Sequence, residues 1–284
     1  MKLLITGGKG MLGRTLQQEF CDWDIVVADL PEIDITNAEQ FDDFLRQQCP
    51  DAVIHAAAMT AVDNCESDRE KAFLLNEQGS VNVACSCQKH GVRLLAISTD
   101  YVFDGKSSKP YCEQDVPTGG STVYGQSKLA GENAVRRICA DHLIVRISWL
   151  YGAGGPSFVH TMMRLAGNPA GELKVVNDQF GNPTSALAVA RKLRELLLHP
   201  ELRGVVHVTC EGSASWYEFA REIFLQAGVA PQLTACSTAE FPRPAPRPKN
   251  SRLLKEQLRK WKLAPMPHWR EALKEFMSSE FPRQ

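Results

Sequence analysis

Tyr124 and Lys128 are the two residues whose types and spacing most directly indicate chemistry. They lie four residues apart in Thr122–Lys128, which is typical of the start of a helix continuing to about Val135. Helical residues at this spacing share a face. An ammonium about 4 Å from a phenol favours the phenolate by ~4 kcal/mol at an effective dielectric of ~20, which is worth up to ~3 pKa units. The pair therefore predicts a proton donor titrating near neutral pH. A half-buried tyrosine beside a surface lysine is the alternative.

Length, charge and cysteine usage narrow the class of protein. The 284 residues suffice for one large domain or for a domain with a smaller lobe. The 32 Lys and Arg residues nearly balance 33 Asp and Glu residues, which leaves no basic field for a nucleic acid. Nine cysteines without a CxxC pair favour free thiols over a zinc site. Because no signal peptide and no apolar run near ~18 residues is found, we expect a soluble, cytoplasmic protein with neither membrane nor nucleic acid as partner.

A glycine-rich turn near the N-terminus supplies a context for the tyrosine–lysine pair. It follows a short apolar run that predicts a buried strand, and it precedes helical spacing. The turn fits the dinucleotide fingerprint in two registers, one beginning at Gly7 and the other at Gly8. Glycines let the backbone approach a pyrophosphate, whose charge then lies at the helix N-terminus. A glycine turn without a ligand is the alternative. The candidates for cofactor contact here are Gly7, Gly10, Met11, Leu12 and Gly13.

The second predicted strand ends in an acid. Asp29 follows the apolar run 25–28, at the position where an acid would bind the adenosine ribose 2′-OH and favour NAD over NADP. A surface aspartate at a strand end is the alternative. Asp34 and Ile35, in the loop that follows, are further candidates for cofactor contact.

Small residues follow the third predicted strand, 52–55. Ala56–Ala58 would allow a ligand to approach the carboxyl end of the sheet, where open α/β sheets bind ligands. His55 is interpreted as a hydrogen-bonded packing histidine rather than a catalytic base. Asn76 lies in the middle of a long helix predicted over about 68–90, where asparagine is a poor choice. We place it among the cofactor contacts, with a solvated surface asparagine as the alternative.

The fourth predicted strand, 92–97, ends in two hydroxyls and a carboxylate. Ser98, Thr99 and Asp100 would lie over the cofactor crevice, because carboxyl ends of parallel strands share one edge. The Pro/Gly/Ser-rich loop 106–122 would return the tyrosine–lysine pair to that edge. With a fifth strand predicted at 143–147, five strand–helix units favour an α/β fold with a parallel sheet and right-handed crossovers.

Six stretches of this sequence resemble the extended short-chain dehydrogenase/reductases, and more closely the dTDP-4-dehydrorhamnose reductase family. Any one could arise by chance, but all six occur in the family's order along the whole chain. They are Thr6–Gly13, Ser98–Gly105, Tyr124–Glu132, Arg146–Gly152, Asn177–Thr184 and Arg247–Leu253.

The resemblance implies a Rossmann-type doubly wound parallel sheet with a smaller α/β C-terminal lobe that closes over a sugar nucleotide. We expect the NAD(P)-binding domain to comprise residues 1–150 and roughly 177–205. The substrate lobe would comprise roughly 151–176 and 206–284.

The resemblance also implies roles for particular residues. It assigns Thr99, Tyr124 and Lys128 to catalysis and the Gly7/Gly10/Gly13 register to the cofactor, with Ala56–Ala58 at its border and Ser98 among its contacts. His55 departs from the family, which usually has asparagine there, so a changed nicotinamide preference is conceivable. The residues assigned to the substrate are Thr99, Asp100, Tyr101, Trp149, Gln179 and Arg247.

The expected activity is reduction of the C4 keto group of a dTDP-4-dehydro-6-deoxy sugar by NADPH or NADH. Tyr124 would protonate the oxygen, Thr99 would donate a hydrogen bond to it, and Lys128 would hold the ribose. Arg247 would clamp the diphosphate or else be solvated, and Trp149 would stack on the sugar or fill the core. Mg²⁺ is possible by resemblance only, and a homodimer is what the family suggests. The alternatives are a sugar-nucleotide epimerase or dehydratase, and a non-catalytic regulatory subunit resembling methionine adenosyltransferase β.

Overall fold

A computed structural model describes residues 1–167 and 171–282. The predicted substrate lobe includes residues 168–170 and 283–284, which lie outside this range. The strands are β1 (Lys2–Thr6), β2 (Asp24–Ala28), β3 (Ala52–His55), β4 (Arg93–Thr99), β5 (His142–Ile147), β6 (Leu150–Tyr151), β7 (Leu173–Val176), β8 (Phe180–Gly181), β9 (Thr184–Ser185), β10 (Gly204–His207), β11 (Ala214–Ser215) and β12 (Leu233–Cys236). The helices are α1 (Met11–Glu19), α2 (Ala38–Gln48), α3 (Val62–Ser67), α4 (Arg69–Phe73), α5 (Gly79–His90), α6 (Val123–Ile138), α7 (Phe158–Ala166), α8 (Ala186–Leu197), α9 (Trp216–Ala227), α10 (Glu256–Lys260) and α11 (Trp269–Glu280).

The central sheet is parallel, as predicted. Its strand order is β2-β1-β3-β4-β5-β10. The order reverses between β1 and β3, and ligands of open α/β sheets bind outside the carboxyl ends of the strands at such a switch point. The glycine turn follows β1 and Ala56–Ala58 follow β3, so both predicted cofactor stretches flank this point.

Successive side chains of β1 point to opposite faces of the sheet, and each face is covered by its own layer of helices. Leu3 and Ile5 belong to the core that includes α1, α8 and α11, whereas Leu4 belongs to the core that includes α2 and α5. Both faces are therefore buried, which accounts for the continuous apolar runs in these strands. No helix in the described ranges is both long and apolar enough to span a bilayer.

The helix predicted over about 68–90 is interrupted. A π-helical turn, Leu74–Gln78, separates α4 from α5 and contains Asn76. Such turns are frequent at functional sites. The periodicity did not reveal it, because one extra residue in a turn leaves the overall pattern of a long helix intact.

Short strand pairs lie outside the central sheet. β7 pairs with β12, β8 with β11, and β6 with β9. The sixth strand of the central sheet, β10, spans the predicted domain boundary at residues 205 and 206, so that boundary falls inside a strand. The division into two domains stays a prediction. Helix α10 begins only at Glu256, because Leu253 forms a β-bridge with Tyr111.

Candidate active site

The glycine turn has the geometry that a dinucleotide requires. Gly7 adopts φ +70°, and a Cβ on it would lie 2.7 Å from the backbone of Ala57. A Cβ on Gly13 would lie 2.3 Å from the Gly7 carbonyl oxygen. Gly10 is the N-cap of α1 and has no side chain to occupy the first-turn amides. This geometry favours the register that begins at Gly7, and the turn leaves a helix N-terminus suited to a pyrophosphate.

Asp29 closes this turn from the neighbouring strand end. Its Oδ2 accepts a hydrogen bond from the backbone N of Lys9 at 2.7 Å, and its Oδ1 accepts one from the backbone N of Leu30 at 2.8 Å. The Lys9 ammonium donates to Glu32 at 2.8 Å. To bind the ribose as predicted, Asp29 would have to use a carboxylate that already accepts hydrogen bonds from the turn. Lys9 lies beside the same position.

Asp34 and Ile35 line the next part of this loop. Oδ1 of Asp34 accepts from the backbone N and hydroxyl of Thr36, both at 2.8 Å. Ile35 is buried, and a Cβ on Gly79 would lie 2.6 Å from its Cδ1. The side chains of both residues are thus engaged in shaping the loop, and their contact with a cofactor stays a prediction.

Thr99 and Tyr124 meet at the carboxyl end of β4. Thr122 caps α6 by accepting from the backbone N of Gly125 at 3.0 Å. A Cβ on Gly125 would lie 2.2 Å from the Tyr101 carbonyl oxygen, so glycine allows the helix to begin directly against this segment. The Thr99 hydroxyl lies close enough to the Tyr124 phenol to lower its pKa through a hydrogen-bond interaction. The structure thus brings these two predicted catalytic groups together.

The expected lowering of the Tyr124 pKa is wrong for this structure. Burial raises the pKa of the Tyr124 phenol well above its usual value, and the hydrogen bond to Thr99 offsets only part of that effect. Lys128 is also buried, and its ammonium donates to the Ile97 carbonyl oxygen at 2.8 Å. Burial lowers the pKa of Lys128 to about 8. The sequence could not reveal this outcome, because desolvation of both groups opposes the attraction between them.

Asp100 accepts several hydrogen bonds below the same strand end. The hydroxyls of Thr99 and Ser148 each donate to its carboxylate at 3.0 Å. Burial raises the pKa of Asp100 to about 6, despite hydrogen bonds that also include one from Ser251. Since the Thr99 hydroxyl has one proton, it must turn from Asp100 before it can donate to a substrate oxygen. Asp100 is therefore placed to orient Thr99, and its predicted contact with the substrate stays a prediction.

Ser98 belongs to a buried charged cluster on the other side of β4. Its hydroxyl donates to Glu132 Oε1 at 2.5 Å. Arg146 donates to both oxygens of Glu132, from Nε at 2.9 Å and from Nη2 at 2.8 Å. The predicted cofactor contact of the Ser98 side chain would require breaking its bond to Glu132.

Asn76 and His55 are both buried and hydrogen-bonded. Asn76 accepts from the backbone N of Met59 at 2.8 Å and donates to Ser127 at 2.9 Å, so the alternative of a solvated surface residue is wrong. The interpretation of His55 as a packing residue is confirmed: its ring nitrogens lie 2.7 Å from the Thr6 hydroxyl and 3.1 Å from that of Ser80. Burial, and secondarily the Lys128 charge, lowers the pKa of His55 to about 3.

Tyr101 connects the catalytic pair to Arg247. Its ring lies edge-on to that of Tyr124 with 5.4 Å between centroids. Burial raises the pKa of Tyr101, and the nearby Arg247 charge opposes that effect. Arg247 Nη2 donates to Asp63 Oδ1 at 2.9 Å, so this arginine is paired rather than freely solvated. Arg243 pairs with the other oxygen of Asp63 at 3.1 Å.

Arg247 lines a cavity of about 620 Å³. Three loops that are distant in sequence form its wall, with basic side chains outnumbering acidic ones among the lining residues. The charged lining residues are Lys106, Arg247, Lys249 and Arg252 on the basic side, and Asp104 and Asp178 on the acidic side.

Trp149 and Gln179 are packed into the protein. The Trp149 ring stacks on Trp216 with 3.5 Å between centroids, and its Nε1 donates to Ser251 at 3.1 Å. Gln179 is buried and donates to Thr238 at 3.0 Å. Trp149 is half-buried and packs against the core, and its predicted contact with the sugar stays a prediction. The side chains of Trp149 and Gln179 thus each donate a hydrogen bond to another residue of the protein without a ligand present.

Within residues 1–167 and 171–282, no group of three or more His, Cys, Asp or Glu side chains could hold a metal ion. The described part of the chain therefore offers no such site for a resident Mg²⁺.

Two acids that contact the predicted site residues were not identified from the sequence. Glu132 lies four residues after Lys128 on α6. That spacing places both side chains on one face of the helix, and it could have indicated that Glu132 lies near the site. Asp63 pairs with arginines 180 and 184 residues away, and nothing in the sequence signals a contact of that separation.

Comparison with known proteins gives a consistent result over nearly the whole chain. A family model described as the RmlD substrate binding domain matches residues 1–281. The spore coat polysaccharide biosynthesis protein SpsK of Bacillus subtilis is 37% identical, covering 97% of this chain and 96% of that protein. The dTDP-4-dehydrorhamnose reductase of Escherichia coli is 36% identical, covering 99% and 98%. A crystal structure of dTDP-4-dehydrorhamnose reductase from Bacillus anthracis in complex with NADP has a TM-score of 0.95 at 39% identity, covering 98% and 99%.

Proposed function

This chain belongs to the RmlD substrate binding domain family, a branch of the extended short-chain dehydrogenase/reductases, and from that premise we propose that it is a dTDP-4-dehydrorhamnose reductase. The reaction is reduction of the C4 keto group of dTDP-4-dehydro-6-deoxy-L-mannose to dTDP-L-rhamnose by NADPH or NADH. The observation that carries this proposal is the contact between Thr99 and Tyr124, beside the buried Lys128, at the sheet edge shared with the glycine turn.

The cofactor fits the residues that surround the switch point. Gly7 and Gly13 leave no room for a Cβ, and the amides at the start of α1 suit a pyrophosphate. Asp29 and Lys9 lie together where an adenosine ribose would be recognised, the acid suited to a hydroxyl and the lysine to a phosphate. When bound, the reduced nicotinamide supplies the hydride that the reaction consumes.

Tyr124 supplies the proton in this mechanism. Its raised pKa keeps the phenol protonated at neutral pH, so the proton is present when negative charge develops on the C4 oxygen. Thr99, once turned from Asp100, donates a second hydrogen bond to that oxygen. Lys128 holds its positive charge close to the pair and binds the ribose of the cofactor.

The cavity lined by Arg247 suits the nucleotide diphosphate. A guanidinium offers two parallel donors to phosphate oxygens, and Lys249 adds a point charge. Asp63 holds Arg247 in place before the substrate arrives, which reduces the side-chain entropy lost on binding.

The proposal extends to the role of the protein in the cell. The product would supply rhamnose to a cell-surface polysaccharide such as lipopolysaccharide, and the name of the Bacillus subtilis relative likewise concerns a polysaccharide. All nine cysteines are free, which fits the reducing cytoplasm. A homodimer is the proposed assembly, and the two-domain division given above is the proposed organisation.

A spectrophotometric assay with dTDP-4-dehydro-6-deoxy-L-mannose and each nicotinamide tests the proposal. We expect stoichiometric loss of NADPH or NADH absorbance and formation of dTDP-L-rhamnose. An epimerase or dehydratase would convert the sugar without net loss of absorbance, because such enzymes regenerate their cofactor. Binding of the cofactor with no turnover, together with co-purification of a larger synthetase, would indicate the regulatory alternative.

A further inference from the structure

Glu132 is a fully buried carboxylate that the mechanism above does not use. It accepts from Ser98 and, through both oxygens, from Arg146, which is itself buried. Arg136 is an exposed residue on the same helix, and its Nη2 lies 3.6 Å from Glu132 Oε2. An Arg–carboxylate pair of this geometry fixes the position of the charge within narrow limits. The carboxylate is therefore held still on the face of α6 that carries Lys128.

Glu132 and Lys128 face one small cavity. They are four residues apart on α6, so their side chains lie on the same face. Both line a cavity of about 10 Å³, together with His55, Ser80 and Ser98. That volume is near the lower limit for a single water. The carboxylate and the ammonium therefore share a cavity with room for about one water, where charges attract more strongly than in bulk water.

The other polar groups that line this cavity come from β3, β4 and α5. From β3, His55 is neutral at physiological pH because burial lowers its pKa to about 3. From β4, the Ile97 carbonyl oxygen accepts a hydrogen bond from the ammonium and Ser98 lines the cavity, while α5 contributes the uncharged Ser80.

Two further groups lie behind Glu132. From β5, Arg146 is on the far side of the carboxylate, and from β10, His207 is neutral since burial lowers its pKa to about 3. Tyr124, on α6 itself, stays protonated because burial raises its pKa. Among these groups, all within the described ranges, Glu132 carries the only negative charge.

We propose that Glu132 is a positioning residue for the reduction, which keeps the Lys128 ammonium charged in a site whose burial favours the neutral amine, and that Arg146 and Ser98 serve to hold the carboxylate there. The inference deepens the proposed function, since a charged Lys128 matters because it holds the cofactor ribose beside Tyr124. Burial brings the pKa of Lys128 down to about 8, and the Glu132 charge opposes that effect. Without the carboxylate, a larger fraction of Lys128 would be neutral at physiological pH.

The direct test is an NMR titration of Lys128 in the cofactor-free protein, with ¹³Cε-labelled lysine and Lys128→Arg to assign the signal. In Glu132→Gln the midpoint should fall by about one pH unit, the size expected for loss of one nearby opposite charge. In Glu132→Asp, which keeps the charge, the midpoint should return close to that of the unchanged protein.

Arg146→Met is the matched control. It breaks the same ion pair, and so costs comparable stability, but it leaves the Glu132 charge in place, held by Ser98 and Arg136. The proposal requires the Lys128 midpoint in Arg146→Met to stay unchanged or rise. A merely structural ion pair would make the two variants behave alike. An unchanged midpoint in Glu132→Gln, or an equal fall in both variants, would overturn the proposal.

A folding failure of Glu132→Gln does not end the test. An unpaired buried Arg146 is costly, so the double variant Glu132→Gln/Arg146→Met removes both charges and is compared with Arg146→Met. Its Lys128 midpoint should be the lower of the two, and equality would count against Glu132.

The pH dependence of turnover is an independent test of the charge on Lys128. If the protein is a reductase, the fall of kcat/KM on the alkaline side should move to lower pH in Glu132→Gln and not in Arg146→Met. If no reduction is detected in any variant, the proposed function fails, while the NMR midpoints still decide whether Glu132 controls the charge of Lys128.

Discussion

The groups assigned to proton transfer and those assigned to substrate binding are built in different ways. Thr99, Tyr124 and Lys128 lie on one strand end and the helix that packs against it, and all three are buried. The cavity around Arg247 is formed by loops that are distant in sequence and hold their positions through ion pairs and hydrogen bonds. The proposed proton transfer thus depends on regular structure, whereas the proposed substrate recognition depends on loops, which vary more readily between related proteins.

The two regions also differ in how deeply their charged groups are buried. Near Tyr124, burial is the largest influence on the pKa of the phenol, and the ion pair between Glu132 and Arg146 is fully buried. Around Arg247 the ion pairs are partly exposed, and the Arg243 side chain is 48% exposed. Substitutions should therefore act on turnover in the first region and on substrate affinity in the second.

Tyr124→Phe should have the largest effect. Removal of the proton donor is expected to lower kcat by about 10³-fold, within the range for loss of a general acid, while the cofactor dissociation constant stays unchanged. Steady-state kinetics and fluorescence titration of NADPH measure the two quantities. Turnover near that of the unchanged enzyme would remove Tyr124 from the mechanism.

Gly181→Ala tests whether the stack of Trp149 on Trp216 contributes to stability. A Cβ there would lie 2.3 Å from Trp149 Cε2, inside the ring system stacked on Trp216. We expect a loss of roughly 1–3 kcal/mol in the free energy of unfolding from this overpacking, measured by urea denaturation. Gly167→Ala is a control for glycine replacement without strain, since Gly167 has φ −74° and a Cβ on it would come no closer than 3.6 Å to a neighbouring atom. Equal losses in both variants would mean that the stack tolerates displacement.

Arg247→Ala should raise KM for the dTDP-sugar about tenfold, which corresponds to ~1.4 kcal/mol, with little change in kcat. Arg243→Ala is the matched control because it removes the other arginine bound to Asp63 without removing a cavity residue. KM values for both variants, determined at saturating NADPH, separate a phosphate contact from a general loss of positive charge. Identical KM values would contradict the assignment.

His55→Asn should have the smallest effect, and on stability at acid pH rather than on turnover. The pKa of His55 is about 3 in the folded protein against an ordinary value of 6.5, so the unfolded chain binds more protons between these values. Stability is therefore lost as the pH falls below about 6.5. The variant should lose roughly 1–2 kcal/mol less than the unchanged protein between pH 7 and pH 5. Asp100, with its pKa raised to about 6, acts in the opposite sense but equally in both proteins. Denaturation at the two pH values measures the difference, and parallel curves would contradict it.

Periodicity and turn chemistry were sufficient to predict the fold. Apolar runs predicted the parallel strands, and the glycine turn between β1 and α1 was predicted because its conformation depends on local residue types. The convergence of Thr99 and Tyr124 followed from the rule that parallel strands present their carboxyl ends at one edge.

The remaining features depend on contacts that no local pattern carries. Lys128 was expected beneath the Tyr124 phenol, yet its ammonium donates to Ile97, a strand residue 31 positions earlier. The pairing of Asp63 with Arg247 and the stacking of Trp149 on Trp216 join segments brought together only by tertiary packing. The direction of the Tyr124 pKa likewise depends on how completely the fold excludes water.

The π-helical turn at Leu74–Gln78 has a consequence for how this segment can change in length. Deleting one residue there would restore a regular α-helix, and on that ground it would be favourable. A π-helical turn absorbs one extra residue, so the helix beyond it would keep its phase after the deletion. Ser80 would stay beside the His55 ring, and Asn82 would still donate to the Ile35 carbonyl, a bond of 2.9 Å in the present structure. The deletion would instead displace Asn76 from Met59 and Ser127, so a shorter segment should remove a buried amide from the site while the helix packing is kept.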